Sequence, residues 1–304
     1  MLIFEVSPTD DGMRLDRWVK KNHPLPHTLL QRFLRQGKVR VDGKKCEAST
    51  RLEVGQSVKL PETEVVDRHN LAPSREKFER AQRMIKDMIL FEDESILILN
   101  KPAGLAVQGG TGMRDDHIDA YMKIVYEENA PRLVHRIDKE TSGLLIMAKT
   151  AAKARELGDS FKDRKIQKTY LAVLKGVPEV FEGEVKAPLA KERGDHFEKV
   201  RVNDEGKFAK TLFKVLDHAF RKLTLIELKP LTGRTHQLRA HMELLKTPIL
   251  GDTKYNGQWE ERTFPLHLHA WKIELLHKGR IFNFEAPLPK TFKDTLKEFG
   301  LSLN

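Results

Sequence analysis

Apolar positions along residues 13–60 recur at helical spacing. Leu15, Trp18 and Val19 fall at i, i+3 and i+4 with Arg14, Arg17, Lys20 and Lys21 off the stripe, which predicts an amphipathic helix. Pro24 and Pro26 end it. Thr28 and Gln31 then form a capping-box pattern ahead of Leu29, Leu30, Phe33 and Leu34, and Gly37 stops this second helix. Val39-Arg40-Val41 leads into Asp42-Gly43, a strong hairpin signal because both turn residues tolerate positive φ. Residues 61–86 lose this periodicity, open on Pro61 and carry Pro73 within them. They read as a linker with a helical stretch near residues 75–84.

From residue 87 to 304 the pattern changes to short apolar runs bounded by turn residues. Residues 88–91 and 96–99 flank Glu92-Asp93-Glu94-Ser95 and predict a hairpin. Further strands are predicted at 131–134, 144–148, 168–174, 212–216, 223–228, 268–275 and 281–284, with helices at 151–161 and 235–245. Strands outnumber helices, and many pairs are joined by short turns rather than helical crossovers. The expected fold class is therefore α+β, with a mixed and largely antiparallel sheet in the larger domain and a small α/β unit before it.

Charge narrows the partners. Fifty-four Lys and Arg against 44 Asp and Glu give a net charge of +10, which favours a polyanion without separating RNA, DNA and an acidic membrane surface. Between Thr28 and Cys46 lie Arg32, Arg35, Lys38, Arg40, Lys44 and Lys45 against the single acid Asp42. They sit off the apolar stripe, so helix and hairpin are expected to present one positive surface. No apolar run approaches the roughly 20 residues that span a bilayer, and the acidic start lacks the basic region of a signal peptide. The lone Cys46 leaves no partner for an intrachain disulfide or a multi-cysteine zinc site. Gly109-Gly110-Thr111-Gly112 fits neither a dinucleotide fingerprint nor a Walker loop, so no nucleotide cofactor is expected. A cytoplasmic monomer is expected.

Candidate chemistry concentrates at His135-Arg136-Ile137-Asp138-Lys139-Glu140-Thr141-Ser142-Gly143, a polar loop between two apolar runs, where scaffolds usually carry reactive groups. Thr141, Ser142 and Gly143 read as its turn. The stretch resembles the signature of the RluA-type pseudouridine synthases, His-Arg-Leu-Asp followed by two variable residues and Thr-Ser-Gly, with Ile137 the one departure. The resemblance implies that Asp138 is the nucleophile and that Arg136 fills the space left by a flipped base. It leaves open whether Asp138 attacks the ring or the sugar, or instead assists through an eliminated glycal. The two helices and hairpin of residues 13–60 similarly resemble the alpha-L (S4-like) RNA-binding module, which would grip phosphates of a structured RNA.

A second dense run, Thr232-Gly233-Arg234-Thr235-His236-Gln237-Leu238-Arg239-Ala240-His241, resembles the family's Gly-Arg-Thr-His-Gln-Ile-Arg segment. The resemblance assigns Arg234 to pair with the catalytic carboxylate, while Arg239 reads equally well as a solvated helix residue. Tyr170, in Lys168-Thr169-Tyr170, matches the family's active-site tyrosine, which would stack on the extruded uracil and serve in late proton removal. Pro248-Ile249-Leu250-Gly251-Asp252 matches a segment that places an apolar side chain under the base, a role open to Ile249 or Leu250. His135, His236, His241, His267 and His269 invite a metal reading, but no His-Glu-x-x-His exists and hydrogen-bonded core histidines are expected. Neither metal nor cofactor is required, because isomerising uridine to pseudouridine involves no redox change.

The implied activity is pseudouridine formation in RNA, and the N-terminal module points to large-subunit ribosomal RNA. The alternatives are a synthase acting on transfer RNA and a non-catalytic RNA-binding or ribosome-assembly factor. Presence of Asp138, Tyr170 and Arg234 together favours the enzyme.

Overall fold

Leu15, Trp18 and Val19 are all buried, as their spacing requires, on the inner face of the helix Leu15–Asn22. A computed structural model describes residues 1–23, 25, 27–62, 74–109, 116–192, 199–220 and 222–303, in two units, Met1–Ser74 and Arg75–Asn304. Pro24, Pro26, residues 63–73 of the predicted linker (Pro73 among them) and residues 110–112 of the glycine loop lie outside the described residues, as does the side chain of Thr28.

In the first unit the helices Leu15–Asn22 and His27–Arg35 accompany a four-stranded antiparallel sheet. Asp42 and Gly43 adopt φ of 48° and 74°, the tight turn the dipeptide predicts, between strands Arg40–Val41 and Lys44–Lys45. The sheet also takes in Leu2–Glu5, which pairs with Ser57–Leu60 and lies ahead of the expected start at residue 13. Asp10 is buried and accepts hydrogen bonds from Ser7, the Trp18 indole and Lys21, so its carboxylate is held below its usual pKa by Lys21 despite burial.

In the second unit a ten-stranded sheet forms the frame. The expected linker boundary moves: the helix Arg75–Met88 starts within residues 61–86 yet buries Ala81, Ile85 and Met88 in this unit's core. Three strands at the centre position the site. Gln167–Lys175 pairs antiparallel with Leu268–His277, which pairs parallel with Ser142–Ala148. All seven residues of Ser142–Ala148 are buried, so alternation is absent and the run is apolar throughout, as a strand covered on both faces requires.

The parallel junction is two residue pairs long, His269 with Ser142 and Ala270 with Gly143. Gly143 therefore serves a close backbone approach within a strand, whereas the turn comes from Asp138–Thr141, where the Thr141 amide donates to the Asp138 carbonyl at 3.1 Å. A Cβ on Gly143 would lie 2.2 Å from the Ala270 carbonyl oxygen, and its φ of +105° strains any other residue. Gly143→Ala should cost about 3 kcal/mol or more, from overpacking together with backbone strain. Thermal denaturation should show a midpoint lower by roughly 6–12 °C for a domain of this size; an unchanged midpoint would mean the junction relaxes freely.

Candidate active site

The loop before Ser142–Ala148 is fixed from three sides. Ile137 is buried in the main core and pulls the loop inward. The His135 ring stacks on Phe161 at 4.5 Å and its Nε2 accepts the Ile146 amide at 2.8 Å. Burial, reinforced by Lys168, pushes that imidazole down to about 3, so it stays neutral and keeps the lone pair this bond needs. From beneath, the fully buried Lys101 donates its three ammonium hydrogens to the carbonyls of Pro102, Leu105 and Lys139 at 2.8, 2.8 and 2.9 Å. Burial draws Lys101 down to about 7, while three acceptors around one nitrogen suit the charged form.

Held this way, Asp138 opens onto a cavity of about 930 Å³, and its side chain stays 22% exposed. Arg239 reaches it. The guanidinium Nη1 lies 3.5 Å from Asp138 Oδ2, while Nε and Nη2 donate to the two oxygens of Asp252, both at 2.7 Å. Arg239 and Asp252 are both buried. Burial opposes the charge of Arg239, and the paired carboxylate of Asp252 outweighs it and raises the pKa. Asp252 also accepts the amides of Lys254 and Tyr255, so no oxygen is left unpaired.

His236 completes the rim. It occupies the left-handed region at φ 52° and ψ 19°, just before the helix Gln237–Leu244, with Nε2 3.7 Å from Asp138 Oδ2 and Nδ1 3.0 Å from the Tyr255 hydroxyl. Gln237 pins the turn before the helix: its Oε1 accepts from Thr232 and the Arg234 amide, and its Nε2 donates to Lys210 and Thr211. Tyr170 lines the cavity from the neighbouring strand, its hydroxyl pushed well above the usual range by burial and by Asp138. Arg136 is exposed and lines the same cavity.

Two assignments change. Arg234 lines the cavity, but its Nε donates to the Phe208 carbonyl at 3.1 Å and its side chain is exposed; the guanidinium beside Asp138 belongs to Arg239. Arg234 precedes the helix in the turn, whereas Arg239 sits on the helix face turned toward both carboxylates. Ile249 and Leu250 are fully buried in two separate packing clusters, and neither lines the cavity. Its apolar lining comes instead from residues such as Leu212, Leu238 and Leu268, and Ile249 packs in the same cluster as the last two.

The remaining histidines are occupied individually. His241 bonds Thr211 and the Ala187 carbonyl, His267 the Pro265 carbonyl and Thr295, His269 Ser142 and the Ala286 carbonyl. In the first unit Arg32, Arg35, Lys38, Arg40, Lys44 and Lys45 are all exposed. Arg32 and Lys38 lie 5.7 and 5.9 Å from the Phe33 ring centroid, and Arg40 is paired across the hairpin with Lys45. These six make no ion pair with an acid among the described residues.

Residue patterns alone missed Asp252, Tyr255 and the active placement of His236 and Arg239. The usable signal was the second arginine of the Gly-Arg-Thr-His-Gln run together with a carboxylate straight after Gly251.

Known proteins share the make-up of both units. The family model for RNA pseudouridylate synthase matches residues 95–244, and the model for the S4 domain matches residues 13–58. A ribosomal large subunit pseudouridine synthase C from Rickettsia bellii is 38% identical over 306 residues, covering 96% of this chain and 99% of that protein. The protein of the same name from Escherichia coli strain K12 is 34% identical over 310 residues, covering 97% and 96%. Among solved structures, human RNA pseudouridylate synthase domain containing 4 matches with a TM-score of 0.62 at 28% identity, over 75% of this chain and 98% of that one.

Arg239→Met should leave Asp252 as a buried carboxylate without its cation and cost about 3–5 kcal/mol in a urea titration. Arg234→Met should leave the urea midpoint nearly unchanged. Equal effects would remove the distinction drawn between the two arginines.

Proposed function

The chain belongs to the RNA pseudouridylate synthase family, and from that premise we propose that it converts specific uridines of large-subunit ribosomal RNA to pseudouridine with Asp138 as nucleophile. The enzyme is an RNA pseudouridine synthase, an intramolecular isomerase, and it carries an S4 RNA-binding domain. The ribosomal substrate is supported by full-length relatives of that name, and it implies a cytoplasmic site of action. The observation that carries the mechanism is the carboxylate of Asp138, fixed in its loop and faced by a buried guanidinium at the wall of a cavity. That cavity lies within the roughly 300–1,000 Å³ of ordinary ligand pockets and suits an extruded nucleotide.

The chemistry then follows. Arg136, exposed on the same loop, occupies the space the flipped uridine leaves. Tyr170 offers its ring to the uracil. Arg239 faces and aims Asp138, and the carboxylate forms a covalent intermediate that divides glycosidic cleavage from rejoining through carbon 5. Atoms are rearranged and none is added or oxidised, so the reaction proceeds without a cofactor or metal. The exposed cations of the first unit grip phosphates around the target and carry no base-reading role.

Asp138→Asn should slow pseudouridine formation about a thousand-fold or more while leaving RNA affinity intact, because the amide keeps the shape and loses the nucleophile. Single-turnover tritium release from 5-tritiated uridine in ribosomal RNA reads this directly, and retention of a sizeable fraction of the rate would exclude Asp138 as the nucleophile.

The double substitution Lys44→Ala and Lys45→Ala should flatten the dependence of log affinity on log salt by about 1.4 to 1.8, for two lost phosphate contacts. An unchanged slope would exclude the hairpin from the RNA interface.

A further inference from the structure

Arg164 holds a backbone that glycine normally takes. The helix Ala151–Lys162 ends with the Arg164 amide donating to the Phe161 carbonyl at 3.3 Å and the Lys165 amide to the Ser160 carbonyl at 2.9 Å. That pair of bonds is the helix stop that favours glycine, and Arg164 occupies its left-handed position at φ 60°. A Cβ is strained there, so helix termination alone gives no reason for a long cationic side chain. Cations near a helix C-terminus do complement its last carbonyls. Lys162 and Lys165 already supply that charge, and neither lies in the left-handed region.

The side chain of Arg164 lines the cavity of Asp138, together with Lys162 and with Lys168 of the strand Gln167–Lys175. Lys162 and Arg164 are exposed. Lys168 is half-buried, with Nζ 6.0 Å from the Phe161 ring centroid. A Cβ on Gly233 would lie 4.0 Å from that Nζ, so Lys168 lies against the turn that carries Arg234. Asp163, the acid nearest in the chain, is taken by Lys165 at 3.3 Å. Among the described residues none of Lys162, Arg164 and Lys168 pairs with an acid, and Asp138 is the sole acid lining the cavity. Burial draws the Lys168 ammonium below its usual pKa, and no carboxylate offsets that loss. An anion seated at the rim would do so.

We propose that Lys162, Arg164 and Lys168 form a second phosphate-binding site, holding the RNA backbone beside the flipped uridine at the mouth of the cavity. The inference rests on the reading of this cavity as the place that receives a uridine of RNA. A flipped nucleotide carries its base inward and stays joined to the strand on both sides, so phosphodiesters must lie at the mouth. Three cations without an acid partner meet that charge. The Arg164 guanidinium can take one phosphate through two parallel N–H bonds, which a lysine in the same place could not. Backbone strain at a functional position is then offset by what the side chain binds. The site adds to the cations of the first unit and does not depend on them.

The test uses the full-length protein and a transcript of large-subunit ribosomal RNA. Arg164→Gly relieves the strained backbone and removes the cation, so stability and binding should move in opposite directions. The thermal midpoint should rise by about 2–4 °C for a unit of this size. The slope of log affinity against log salt should flatten by about 0.7 to 0.9, and adding Lys162→Gln should remove about as much again. Phosphate ethylation interference supplies the location. Phosphates beside the uridine that the wild type modifies should block binding when ethylated, and should cease to matter in Arg164→Gly. An unchanged salt slope would overturn the proposal whatever the midpoint does, and with a lowered midpoint it would make Arg164 a helix cap. A flatter slope with unchanged interference beside the target would overturn it too, because the cation would then serve general attraction. Tritium release by the wild type on the same transcript is measured separately. Its absence would sink the functional reading, whereas the slopes are read from binding alone.

Discussion

One guanidinium between two carboxylates organises this site. Arg239 spends two nitrogens on a bidentate pair with Asp252 and leaves the third 3.5 Å from Asp138. The asymmetry matters. A buried ion pair justifies its desolvation only when its geometry is good and its remaining lone pairs are filled, and Asp252 meets both conditions through the amides of Lys254 and Tyr255. Asp138 is held more loosely, so it can leave the cation to form a bond while the arginine keeps its anchor. Structural charge and reacting charge thus share a cation without sharing a constraint.

The loop of Asp138 shows the complementary arrangement. It is tied by Lys101 from the strand Ile96–Lys101 and by its own His135 and Ile137, which reach the Ile146 amide and the main core, and its side chains at positions 136 and 138 are left to the cavity. Such a loop is rigid at the peptide and available at the tip. Preorganisation of this kind removes the cost of aligning the nucleophile at the moment of reaction.

Much of this was legible in the sequence. The apolar runs gave the strands because burial on both faces leaves little else, and the α+β class followed from short turns between them. The nucleophile loop stood out because its motif is local. Arg239 did not, since an arginine on an eight-residue helix looks the same whether its face meets water or a carboxylate thirteen residues away in sequence. Ile249 and Leu250 were misplaced for a related reason: apolar residues in a matching segment can lie beneath a ligand or one layer behind it, and only packing decides. Gly143 was read as turn punctuation, and its actual work is to admit the Ala270 backbone. Strands such as Glu182–Lys186 and Leu189–Glu192 escaped because charge obscures their alternation.

The order of the central strands has a consequence for synthesis. Leu268–His277 lies between the strand of Tyr170 and the strand that follows Asp138, although the chain makes it about a hundred residues after either. Both neighbours therefore wait for their common partner. A nascent chain that ends short of residue 268 has the nucleophile loop and the tyrosine strand with nothing to join them in register, and long-range pairing of this type is slow to form. Assembly of the catalytic centre is consequently a late event in translation, set by a wedge strand that carries none of the reacting groups.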